Sequence, residues 1–177
     1  YVFDIETNGL LNKLDRLHCL VLKNIETKEV HSFTPNKVEE GLELLSKATE
    51  IIGHNIIKFD LPAIKKIYPN WSTDAKVIDT LVCSRLIWSD IKRTDFQNHQ
   101  RYGFSTKLIG SHALKAWGMR LNLHKGNFGE TTDWEEWSSQ MQKYCEQDVE
   151  VNSLFYDVIK KKNYSQQSLD LEHQFAH

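Results

Sequence analysis

Tyr1-Val2-Phe3-Asp4-Ile5-Glu6-Thr7 is the stretch on which the fold turns. Its apolar residues alternate with acids at the period of a strand, and the turn pair Asn8-Gly9 follows. That alternation sets Asp4 and Glu6 on one face, with Tyr1, Phe3 and Ile5 on the other. Alone, the pair reads equally well as the wet side of a half-buried strand. Working outward, Leu17–Lys23 and Glu29–Phe33 are also strand-like, which predicts an antiparallel meander. Val38 to Lys47 has helical spacing, Ile51-Ile52 a short buried strand, and Leu61 to Ile67 a helix ended by Pro69. Val77-Ile78 and Thr80 to Trp88 repeat strand and helix. The order predicts an α/β fold: a mixed sheet, antiparallel meander plus parallel strands, flanked by helices.

The second half is less regular. Residues 89–110 are polar and weakly patterned, which predicts a loop. Ser111 is expected to cap a helix through Trp117 that Gly118 ends, and a second loop holds Gly126 and Gly129. From Trp134 to about Lys162 the pattern is helical, with Tyr144 and Asp148 four apart on one face.

With 177 residues, 40% hydrophobic and 26% charged, the chain has the length and apolar content of one domain. It contains no run of 18 apolar residues and does not open on a signal pattern, so a soluble intracellular protein without membrane partners is expected. Cys19, Cys83 and Cys145 are odd in number and far apart, which excludes a disulfide framework or zinc knuckle and predicts core thiols. A net charge of −2 gives no global attraction to phosphates, so any nucleic-acid contact must be local.

Four acids carry the chemistry. Asp4 and Glu6 share a strand face; Asp60 ends His54-Asn55-Ile56-Ile57-Lys58-Phe59-Asp60 at a helix entrance, where it reads by itself as a cap. Asp148 lies mid-helix, where an Asp is mildly unfavourable. Together they have the order and setting to converge at one end of a mixed sheet. In this the chain resembles the DnaQ-like superfamily of 3′→5′ exonucleases, whose fold is ribonuclease H-like. The three motifs are matched by Asp4-Ile5-Glu6-Thr7, by His54-Asn55 through Phe59-Asp60, and by Tyr144-Cys145-Glu146-Gln147-Asp148. Tyr144, four residues before Asp148, marks the tyrosine (DEDDy) subtype. Val77 to Val82, Ser84-Arg85-Leu86, Gly110 to Leu114 and Ala116-Trp117-Gly118 narrow the resemblance to the proofreading exonuclease domain of phage family A DNA polymerases.

The resemblance implies hydrolysis of the terminal phosphodiester of a single-stranded DNA 3′ end, releasing nucleoside monophosphates, with two divalent cations, Mg²⁺ or Mn²⁺. It implies that Asp4, Glu6, Asp60 and Asp148 are metal ligands, with Asp4 bridging both ions and Asp60 acting through metal-bound water. Hard oxygen ligands suit those cations. Tyr144, whose ordinary pKa is about 10, is assigned to holding and aiming the water. Thr7, Leu10 and Asn55 match substrate-binding positions, though each also reads as a turn residue, a core leucine or a loop cap. Lys107, Lys115, Arg120, His124 and Lys125 are candidates for the strand's exit path, and Asp79 for a structural role. RNA trimming and a non-catalytic module of a polymerase remain as alternatives. The resemblance divides the chain into an exonuclease domain, 1–165, and the start of a linker or helix, 166–177, leading to a polymerase domain of the same chain, in the cytoplasm of a phage's bacterial host. Leu169, Leu171 and Phe175 are expected to find their partners in that domain.

Overall fold

The computed structural model describes residues 1–123 and 133–176; the loop at Gly126 and Gly129, with His124 and Lys125, lies outside the described residues. The first two strands, β1 (Val2–Thr7) and β2 (Leu17–Lys23), pair antiparallel, as do β2 and β3 (Val30–Phe33). β4 (Glu50–Gly53) and β5 (Lys76–Asp79) add in parallel, giving the order β3-β2-β1-β4-β5. The predicted meander plus parallel strands is therefore the observed ribonuclease H-like mixed sheet.

β1 is the central strand, and helices cover both of its faces. On one side Phe3 and Ile5, with Leu20, Leu22 and Ile51, pack against α1 (Val38–Ser46) and α2 (Asp60–Ile67). On the other, Val2, Cys19, Val21 and Ile52 pack against Cys145, Val149 and Phe155 of the long helix α6 (Ser139–Lys160). The side of β1 that carries the acids is thus a helix-covered face and not a solvent face. All three thiols are buried and free. No helix among the described residues is long and apolar enough to cross a membrane.

Several sequence expectations are corrected. Residues 89–110 are not a loop: they contain α4 (Ile91–Tyr102), closed by Gly103 in the left-handed region at φ 65. Apolar patterning misses α4 because only Ile91 and Asp95 are buried along it. Its anchor is ionic. Arg120 donates from Nε and Nη2 to the two oxygens of Asp95 at 3.0 and 2.7 Å, and Asp95 also accepts the Gly110 N–H at 2.8 Å. Arg120 therefore serves the interior and is no candidate for the exit path. α3 (Thr80–Ile87) and α5 (Leu114–Arg120) complete this layer; Gly118 lies inside α5, and Ala113, not Ser111, precedes it as N-cap. α6 starts at Ser139, capped by the Ser138 hydroxyl, so Trp134 stands before the helix.

The last helix, α7 (Gln166–Phe175), packs on this chain through Leu169, 3% exposed, while Leu171 and Phe175 are exposed. Leu169 thus finds its partners here, contrary to expectation.

Arg120 and Asp95 are 6% and 0% exposed, so removing either leaves the other as a buried lone charge. Asp95→Ala or Arg120→Ala should lower unfolding free energy by about 3–5 kcal/mol. Urea denaturation followed by circular dichroism checks this, and a loss under about 1 kcal/mol would place the pair among surface ion pairs.

Candidate active site

Because β1 and β4 run parallel, with Val2 beside Ile52, their C-terminal ends open on the same edge of the sheet. Asp4 and Glu6 stand at that end of β1. Asp60, 4% exposed, is the first residue of α2, reached by the loop that leaves β4. The N-cap of α2 is Phe59 and not Asp60, so the cap reading does not hold. Asp148, 7% exposed, comes from α6, one turn after Tyr144. Register between β1 and β2 shifts from Glu6–Cys19 to Thr7–Leu17, so His18 is the extra residue of a bulge at the acidic end. The His18 Nε2 is 2.9 Å from the carbonyl of Trp134 and ties the segment before α6 to the sheet.

The four acids lie near enough to feel one another's charge. Burial first, and then the charge of Asp4, hold the Glu6 carboxyl well above the usual carboxylate range, with further contributions from Cys19, Asp148 and Asp60. Burial pushes Asp60 up to about 8, the Asp79 charge adds to it, and backbone hydrogen bonds at Asp60 and Ile5 oppose it. The structure therefore brings together all four predicted acids from three separate elements.

Ligand atoms of Asp4, Glu6 and Cys145 lie within 4.8 Å of one another. Cys145 is an unsuitable member of a cation site. Burial and a hydrogen bond with Cys19 hold its thiol well above the ordinary value, and its Sγ donates to the Asp4 carbonyl at 3.4 Å. A buried, protonated thiol is no ligand for a hard cation. The carboxylates are the fitting donors, since an inserted cation relieves the repulsion that raises Glu6 and Asp60.

Beside Glu6 lies a cleft of about 250 Å³ lined by Thr7, Gly9, Leu10, Phe59 and Trp134. Leu10 is 71% exposed, which excludes the core-leucine reading. The Thr7 hydroxyl donates to the Gly9 carbonyl at 2.8 Å and so belongs to the turn. Trp134 also meets the Tyr144 ring edge-on, centroids 6.4 Å apart, linking this cleft to the third motif. Sequence reading missed Trp134 and Phe59 as lining residues, since neither falls within a helical stripe pointing at the acids.

Asn55 is not in this cleft. It sits at φ 68 in the loop after β4 and lines a second one, with Lys58, Arg85, Glu172 and Phe175. Its N–H donates to Asp79 Oδ1 at 2.9 Å, and the Ile57 N–H to Asp79 Oδ2 at 3.1 Å. Asp79 also caps α3 by accepting from Leu81 and Val82. This bears out its expected structural role. A third polar link, Thr80 Oγ1 to Asn152 Oδ1 at 2.7 Å, pins α6 to the same end of the sheet. Of the remaining basic candidates, Lys107 is exposed and Lys115 half-buried.

No family model matches the chain. Over 96% of its length it is 33% identical to the DNA-directed DNA polymerase of Enterobacteria phage T3 and 32% identical to that of Escherichia phage T7, and it spans 28% of each. Among solved structures, Brucella melitensis NrnC with bound Mg²⁺ superposes at TM-score 0.65 and 18% identity, covering 99% of this chain and 80% of NrnC. NrnC bound to pGG gives TM-score 0.60 and 19% identity, with 99% and 76% covered. The resemblance read from the motifs is thereby borne out: the chain is similar to a segment of phage DNA-directed DNA polymerases, and its ribonuclease H-like fold is shared with NrnC.

Proposed function

We propose that the chain is a divalent-cation-dependent 3′→5′ exonuclease that hydrolyses the terminal phosphodiester of a DNA strand and proofreads for a DNA polymerase. The observation that carries the reading is the convergence of four carboxylates, from β1, α2 and α6, beside an aromatic-lined cleft at one sheet edge. Similarity to phage polymerases supports DNA as the substrate and proofreading as the setting. The NrnC structure with bound Mg²⁺ supports the choice of cation. Asp4, Glu6, Asp60 and Asp148 would hold two cations, Mg²⁺ or Mn²⁺. When bound, such a pair supplies an activated water and neutralises the leaving oxygen.

The protein's own groups do the rest. Tyr144 is half-buried, braced by Trp134 and one turn before Asp148, which suits it to aim the attacking water. Exposed Leu10, with Phe59 and Trp134, offers apolar surface on which a terminal base can stack without sequence preference. Thr7 contributes backbone to that cleft, and Asn55 acts through the neighbouring loop. Residues 1–165 form the catalytic unit, and α7 lies at its junction with the polymerase. RNA trimming uses the same acids; degradation of matched labelled DNA and RNA strands with Mg²⁺ or Mn²⁺ separates the two, and no degradation of either would sink both.

Three outcomes follow from this reading. Asp4→Ala with Glu6→Ala should leave the fold intact and reduce turnover to less than about a tenth of wild type, because the ligands of the catalytic cations are gone; a gel assay of strand shortening measures it. Tyr144→Phe should lose less activity than Asp148→Ala, since it removes an orienting hydroxyl and no ligand; equal losses would assign Tyr144 a larger role. The third concerns the cation-free protein. Its folded state keeps a proton on Asp60 up to about 8, whereas the unfolded chain releases it near pH 4. The folded state thus binds more protons across that window, so stability falls as pH rises from about 4 to 8. Asp60→Asn should flatten the fall in Tm recorded in EDTA, and parallel curves for the two proteins would contradict it.

A further inference from the structure

The Glu172-His173 pair on α7 has no part in the chemistry above, yet His173 reaches the residue that organises the Asp60 loop. Its Nδ1 is 2.8 Å from the Leu169 carbonyl, one turn back on the same helix, so Nδ1 carries the proton and donates. Nε2 is then the acceptor, and it takes the Asp79 N–H at 2.8 Å. This fits the topology: β5 is an edge strand, and Asp79 pairs with Gly53 of β4 on its inner side. An outward N–H on a residue 2% exposed needs a partner, and α7 provides it.

Asp79 in turn holds the loop. Its carboxylate binds the Asn55 and Ile57 N–H groups on one side and the α3 N-terminus on the other. From that loop the hydrogen bonds run into α2: Phe59 N–H to the Asn55 carbonyl at 3.1 Å, and Leu61 N–H to the Ile56 carbonyl at 2.9 Å. Asp60 lies between those two donors. Asn55 is held in the left-handed region at φ 68, a conformation that persists only where its surroundings fix it. Hydrogen bonds thus run from His173 through Asp79 and the loop to Phe59 and Leu61, the two residues that flank Asp60.

We infer that His173 is a positioning residue for cation binding, setting Asp60 through Asp79 and the loop between β4 and α2. This rests on the exonuclease reading. Losing the acceptor frees the outer side of Asp79, loosens the loop and lets Asp60 wander, so that cations bind more weakly while the reacting groups stay intact.

The test uses the full chain, Mn²⁺ alone as probe, and the variants H173F, which fills the volume without an acceptor, and H173Q, whose amide oxygen can replace Nε2. The Mn²⁺ midpoint is read from the rise in Tm and, separately, from strand degradation. H173F should raise both midpoints several-fold, short of the roughly 10–100-fold that follows loss of a partner bonded directly to a ligand. Saturating Mn²⁺ should return its rate to the wild-type value, and H173Q should restore the midpoints. Unchanged midpoints in H173F, a rate that saturating Mn²⁺ does not recover, or H173Q no better than H173F would each overturn the inference while wild type stays active. A wild type that neither responds to Mn²⁺ nor degrades DNA would overturn the exonuclease reading instead, and the inference with it. Should H173F not fold, hydrogen exchange in wild type decides: the Asn55 and Ile57 amides must be protected as strongly as those of Leu81 and Val82, and fast exchange at either overturns the inference.

Discussion

Carboxylates that repel one another must be held together at one end of β1, and the surrounding fold is arranged to hold them. Glu6 is buried among charges contributed by Asp4, Asp60 and Asp148, which no local preference of the chain would assemble. Each acid is delivered by a rigid element: the central strand, the first turn of α2, the middle of a 22-residue helix. Parallel pairing of β1 with β4 is the step that sets two of those deliveries side by side, and α6, lying across β1 and β2, brings the third. The repulsion left over would favour taking up cations on the proposed reading, and burial strengthens it, because low dielectric magnifies both the repulsion and its relief.

Asp79 shows the opposite treatment of a buried carboxylate. Where Glu6 and Asp60 face other acids, Asp79 is surrounded by backbone donors from Asn55, Ile57, Leu81 and Val82. Two acids buried to a similar depth therefore play different parts: Asp60, 4% exposed, keeps an electrostatic demand that a cation can meet, while Asp79, 2% exposed, has its demand met by the chain and becomes a structural joint. That joint unites β5, the loop that ends in Asp60, α3 and α7.

The cleft beside Glu6 completes the reading. Its walls come from the turn after β1, the entrance to α2 and the segment before α6, each next in sequence to an element that supplies an acid. On the proposed reading, a strand end stacked against Leu10, Phe59 and Trp134 would present its last phosphodiester to the acids. Such a local contact is compatible with a net charge of −2. The second cleft is lined by Asn55, Lys58 and Arg85 together with Asp79 itself.

The sequence by itself determined the sheet and the acids. Strand alternation at Tyr1 to Thr7, the meander, and the helical spacing at Tyr144 and Asp148 are local signals, set by side-chain period and independent of distant contacts. The motifs named Asp4, Glu6, Asp60 and Asp148 because their residue types and order are themselves in the sequence. What only the tertiary structure decided was everything carried by long-range polar contacts. α4 is ordered by Asp95 reaching Arg120, 25 residues away, so its polar sequence reads as a loop. Arg120 looks like a surface cation until Asp95 buries it. Leu169 looked unpartnered because its contacts lie across the chain on the core beneath α3 and α6. Asp79 and His173 are 94 residues apart, and no periodicity links them. A buried ion pair or hydrogen bond is satisfied by whichever group the fold brings within about 3 Å, and that choice is made by packing, which a linear pattern does not contain.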